Sequence, residues 1–164
     1  MRYTVILLAI LASAGARGED VSPLQELTIT ATRVPEPRIE IPASLDVISA
    51  RELELTGATQ YSEAVNRVPG VYVQRGSGEE SLVAIRSPVL TGAGACGAFL
   101  VAEDGLAIRP VGFCNVNDMF EVNTGQAASI EVYRGPGPAI YGASAVHGII
   151  NVRTPWVADL PGLG

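Results

Sequence analysis

Apolar and polar positions alternate with period two in several short runs of this chain, the signature of half-buried strands. Leu45-Asp46-Val47-Ile48 and Val71-Tyr72-Val73-Gln74 are two of them, and the continuous apolar run Leu82-Val83-Ala84-Ile85, ended by Arg86, also reads as a strand. Ile130-Glu131-Val132-Tyr133 and Ile149-Ile150-Asn151-Val152 are two more. Phe99-Leu100-Val101-Ala102 and Leu106-Ala107-Ile108 flank Glu103-Asp104-Gly105, and an Asp-Gly pair between apolar runs predicts a tight hairpin. The period changes after Ile48. Ser49-Ala50-Arg51-Glu52 is a capping box, so a short helix is expected from Ala50 to Leu55, ended by Gly57. Thr59 is positioned to cap a second helix through Arg67, with Tyr61, Ala64 and Val65 on its apolar face and Val68-Pro69-Gly70 as its stop. A further short helix is expected over Val116 to Asn123, capped by Asn117 or Asp118. Near the start, Leu27 to Arg33 alternates and is β-branched until Pro35 and Pro37 stop it, so it fits an edge strand. Arg33 to Pro42 is proline-rich and expected to be extended. The fold class is therefore α+β, a small mixed β-sheet with short helices and long loops.

Composition narrows the picture. The chain has 164 residues, enough for one domain with a core, and 18 glycines and 11 prolines demand many turns. Its formal charge is −6 with no Lys/Arg-rich stripe, which argues against a nucleic-acid partner. Met1-Arg2, the apolar run Val5 to Ala12 and the small residues Ala12 to Ala16 form a secretory signal pattern. The alternative is a membrane anchor, but the run is too short to span a bilayer. The expected organisation is a signal peptide over 1–16, an extended segment over 17–42, a folded domain over 43–155 and, over 156–164, the start of a further domain or a tail.

Little in the chain carries catalytic chemistry. Cys96 and Cys114 are the only cysteines, and in an exported chain a disulfide is the leading reading. Such a bridge would tie together the ends of the Phe99–Ile108 hairpin, contributing ~3 kcal/mol by chain entropy. A metal site needs more ligands, and His147, the only histidine, lies far along the sequence. It sits between Val146 and Gly148 as a structural histidine. Gly76-Ser77-Gly78 lacks the Gly-Lys-Ser/Thr continuation of a phosphate loop. Glu79-Glu80 and Glu103-Asp104 have the character of solvated turn charges. No catalytic site, metal or cofactor is expected.

The most informative stretch runs from Ser129 to Thr154. Two strand-like runs enclose Gly135, Pro136, Gly137, Pro138 and Gly142. The prolines fix φ and lack an N–H, while the glycines admit positive φ and close backbone approach. At this spacing Glu131, Val132, Arg134, Gly135, Pro136, Tyr141, Gly142, Gly148, Ile150, Asn151 and Val152 resemble the end of the plug domain of TonB-dependent outer-membrane receptors. Val68-Pro69-Gly70-Val71 after a helix resembles the same family, as does an apolar strand leading to Asp104-Gly105. Ile85-Arg86-Ser87 departs from the family's Ile-Arg-Gly at its third position. The resemblance covers about Leu27 to Thr154.

The resemblance implies a domain that occludes an outer-membrane barrel, contributes loops to a ligand site and shifts when TonB pulls on its N-terminal segment. Leu27, Thr28, Ile29, Thr30 and Ala31 would be the TonB box, an unpaired extended segment adding as a strand to the periplasmic C-terminal domain of TonB. Arg86, Glu131 and Arg134 would contact the inner barrel wall, the arginines pairing with its carboxylates through their planar donor fork. The ligand would be a small molecule such as a metal chelate, a siderophore, haem, a vitamin or a sugar. The implied location is the outer membrane, the plug inside its own barrel and the N-terminus periplasmic. No run of alternating ~10-residue barrel strands follows in this sequence. The expectation is an N-terminal fragment of a longer receptor. The alternatives are a free-standing periplasmic plug-like binding domain and an exported enzyme.

Overall fold

The computed structural model describes residues 28–29, 36–76, 81–89, 99–108 and 122–155. The expected helix over Val116 to Asn123 lies almost wholly outside them. At its described end Val122 is buried, and a single 3-10 turn follows over Thr124–Gln126. Strands β1 (Thr28–Ile29) and β2 (Glu36–Pro37) pair antiparallel, Thr28 opposite Pro37 and Ile29 opposite Glu36. Thr28 and Ile29 thus pair as an edge strand would, where the family resemblance implies an unpaired extended segment. Arg38–Glu40 then turns as a 3-10 helix instead of staying extended.

β3 (Leu45–Ser49) runs directly into helix α1 (Ala50–Thr56). Ser49 caps it as expected: the Ser49 N–H donates to the Glu52 carboxylate at 2.8 Å and the Glu52 N–H donates to the Ser49 hydroxyl at 3.3 Å. Gly57 closes the helix at φ 57°, its N–H donating to the Leu53 carbonyl. Helix α2 (Tyr61–Val65) buries Tyr61, Ser62, Ala64 and Val65. Its cap differs from the expectation. The Glu63 carboxylate reaches back and accepts the N–H groups of Thr59 and Gln60 at 2.9 and 3.3 Å, so Thr59 is a donor here and the helix starts later. Val68 to Val71 is a hydrogen-bonded turn with Pro69 and Gly70 at its centre and Gly70 at φ 80°.

β4 (Val71–Arg75) and β5 (Ser81–Ile85) form a separate antiparallel pair. β6 (Phe99–Glu103) and β7 (Leu106–Ala107) form the Asp-Gly hairpin, with Asp104 and Gly105 at φ 48° and 79°. β8 (Ser129–Arg134) and β9 (Gly148–Arg153) enclose the turn-rich loop, which contains a 3-10 segment over Ala139–Ser144. The main sheet has the order β3-β8-β9-β6-β7. It is antiparallel except between β6 and β9, which run parallel with Val101 beside Ile150.

Alternation places this sheet between two apolar layers. On one face Ile48, Val101, Ile130, Val132, Ile150 and Val152 pack with α2, β4 and β5. On the other, Leu45, Leu100, Tyr133 and Ile149 pack with Ile41, Tyr141 and Ala145. β8 and β9 are therefore buried on both faces, and the polar side chains buried between them, Glu131 and Asn151, bond to each other.

Candidate functional site

Two of the residues singled out by sequence, Arg86 and Arg134, meet where the chain joins the main sheet. Arg134 ends β8, and its position beside the start of β3 follows from the ladder: its N–H donates to the Ser44 carbonyl at 2.8 Å. Its guanidinium forms an ion pair with Asp46 and donates to the Pro69 carbonyl at 2.7 Å. Arg134 is largely buried there, so removal of Asp46 would strand a desolvated charge. Arg38 adds a more distant ion pair to Asp46 at 3.9 Å. Arg86 takes φ 50°, ends β5 one residue early, and donates its N–H to the Gly70 carbonyl at 2.8 Å. Its exposed side chain lies over Gly70 and donates to the Ser44 hydroxyl at 2.8 Å. Two arginines thus brace the Pro69–Gly70 turn against Ser44–Asp46. Sequence reading found both arginines but missed Asp46, whose only signal is a charge at the start of an apolar strand.

Glu131 sits elsewhere than expected. Its side chain is 2 % exposed and accepts from the Asn151 amide at 3.0 Å across the β8–β9 ladder, so it faces the interior of the domain and not its surface. The Asn151 side-chain oxygen in turn accepts the Gly105 N–H at 2.8 Å. This ties the Asp-Gly turn to the sheet. Asp104 completes that tie: its carboxylate accepts the Thr154 N–H at 3.1 Å and pairs with Arg153 at 3.3 Å.

Of the box-like residues, Thr28 and Ile29 are in β1, while Leu27, Thr30 and Ala31 lie outside the described residues. Cys96 and Cys114 lie outside them as well, so their bridge stays an expectation. His147 is half-buried, its ring 5.7 Å from that of Phe99, and its carbonyl accepts the Gly135 N–H. A cleft of about 710 Å³ runs along the outer edge of β3, lined by Asp46, Val47, Glu52, Leu55, Arg67 and Pro69 among others. The Glu52 carboxyl there is held below the usual carboxylate range, first by the Ser49 backbone N–H, then by the Ser49 hydroxyl and the Arg67 charge. Among the described residues no three His, Cys, Asp or Glu side chains converge as metal ligands.

Comparison with known proteins agrees with this architecture. A family model described as the TonB-dependent receptor plug domain matches residues 37–149. The ferric yersiniabactin uptake receptor of Yersinia pestis is 27 % identical over 70 % of this chain, with a TM-score of 0.55. The unliganded ferric citrate transporter is 28 % identical over 71 %, with a TM-score of 0.58. The ferripyoverdine receptor of the outer membrane of Pseudomonas aeruginosa, bound to ferripyoverdine, is 20 % identical over 79 % and shares the fold at a TM-score of 0.59. This chain spans 17 %, 18 % and 16 % of those three proteins respectively.

Proposed function

The chain belongs to the TonB-dependent receptor plug family, and from that premise we propose that it is the gate of an outer-membrane transporter. It blocks a barrel until TonB, engaged on the N-terminal segment, couples energy to substrate passage. The family match over residues 37–149 is the observation that carries this reading. The substrate class we propose is a ferric chelate, because two relatives above 25 % identity are a ferric yersiniabactin uptake receptor and a ferric citrate transporter. The partner barrel surrounds the plug, with the N-terminus on the periplasmic side. Arg86 is the better candidate for a carboxylate on the barrel wall, since its guanidinium is exposed. Arg134 already has two acceptors inside the plug.

Leu27, Thr28, Ile29, Thr30 and Ala31 are proposed as the segment that TonB takes as an added strand. Pairing of Thr28–Ile29 with Glu36–Pro37 is only two residues long, so TonB displaces little to reach it. Ile29→Pro removes a donor and fixes φ. In the full-length receptor it should abolish energised uptake while surface ligand binding and receptor abundance hold. Ile29→Val, still β-branched, should transport normally. Normal uptake by the proline variant at normal abundance would refute the assignment; low abundance instead would mark the segment as part of the fold.

A further inference from the structure

We propose that this plug takes a pull on its N-terminal segment as shear across the main sheet, with β3 as the stop at which the chain ceases to pay out. The proposal rests on the reading that force arrives through the segment before Ser44. The register supports it. Leu45, at the start of β3, lies opposite Tyr133 of β8, which lies opposite Ile149 of β9. Ser49, at the other end, lies opposite Ser129, which lies opposite Arg153. The chain therefore comes into the sheet at one end and leaves it at the other, beside Thr154. Tension between these ends runs along the strands, so the paired residues of β3 and β8 are loaded together. Tension applied at a single end would instead open them one rung at a time.

Both loaded ends carry side-chain ties. Where the chain comes in, Arg134 holds Asp46 and the Pro69 carbonyl, and Arg86 holds the Ser44 hydroxyl. Where it leaves, Asp104 holds Thr154 and Arg153, and Asn151 holds the turn carrying Asp104. Ahead of Ser44 the described chain has little to resist extension: the two-residue β1–β2 ladder, one 3-10 turn, the buried Ile41 and the long, half-exposed Arg38–Asp46 ion pair at 3.9 Å. That part should lengthen first, and the arginine brace marks where lengthening ends.

Single-molecule pulling on the full chain tests this. One tether joins handles on the N-terminal segment and at Gly164. The other joins the same N-terminal handle to a bio-orthogonal side chain at Pro136, an exposed position just beyond Arg134 at the end where β3 begins. The first geometry should need at least about twofold more force to detach β3, because the rungs of the ladder break together. Asp46→Asn should lower the force in the first geometry. Equal forces in the two geometries, or easier detachment end to end, would overturn the proposal, as would an unchanged end-to-end force in Asp46→Asn. The two readings can fail separately. Uptake by the Ile29→Pro receptor reports where TonB attaches, whereas the force ratio reports what the sheet does with a load.

Discussion

Gly148 has no room for a side chain. A Cβ built there would lie 2.5 Å from the Tyr133 carbonyl oxygen and 2.7 Å from Ile85 Cδ1. The carbonyl belongs to a paired strand and cannot give way. Gly148→Ala should therefore destabilise the fold by about 1–3 kcal/mol, as overpacking does, in chemical denaturation. Gly125 is the control: its Cβ would be 3.5 Å from Asn123 Oδ1, so Gly125→Ala should be nearly neutral. At the same scale, the Ser49–Glu52 box couples helix α1 to pH. The Glu52 carboxyl is lowered in the folded state, so its contribution is complete above the ordinary carboxylate range and disappears as pH falls through the depressed folded-state value. Ser49→Ala should cost ~1 kcal/mol at neutral pH. The stability difference between the wild type and Glu52→Gln should shrink in acid, read from urea titrations at both pH values.

Between elements, the most consequential contact that sequence reading missed is Asn66. Its amide donates to the Val73 carbonyl at 3.2 Å and its side-chain oxygen accepts the Val73 N–H at 2.6 Å. One side chain thus pairs with the edge of β4 as a neighbouring strand would, and so docks α2 on the β4–β5 hairpin. Asn66→Ala leaves both groups of Val73 part-buried without partners and should cost about 1–3 kcal/mol. Hydrogen exchange at the Val73 amide should accelerate more than at Val71, whose N–H is held by Val68. Asn66→Asp should not rescue, because a carboxylate then faces the Val73 carbonyl. Local elements were legible because their signals are local. Ser49 and Glu52 announce α1, Asp104-Gly105 announces its turn, alternation marks β3, β4, β8 and β9, and continuous apolar runs mark β5 and β6. The start of α2 was misplaced because two capping solutions, the Thr59 hydroxyl and the Glu63 carboxylate, coexist within one turn of sequence. Asn66 carried no signal, since an asparagine near a helix end ordinarily reads as a terminator.

For the whole molecule, the closing stretch revealed the family but not the strand order. β6 and β9 run parallel although far apart in sequence, and no local pattern encodes such a pairing. Nor could sequence show that Glu131 turns inward, since its partner Asn151 meets it only through the β8–β9 register. Those pairings make β9 the centre of the domain. It lies between β8 and β6, and Ile149 faces one apolar layer while Ile150 and Val152 face the other, all three fully buried. Removing it would expose the edges of β6 and β8 and open both layers together. Burial of those three side chains alone is worth roughly 1.5–3 kcal/mol each, a large part of a stability of order 5–15 kcal/mol. A chain ending at Arg134 keeps every strand before β9 and both α-helices, and loses the 3-10 segment over Ala139–Ser144 together with β9. It should nevertheless show no cooperative transition in thermal denaturation followed by near-ultraviolet circular dichroism, and should be digested rapidly by protease. A sharp, protease-resistant transition in that shortened chain would mean that β3, β8 and the helices fold without their central strand.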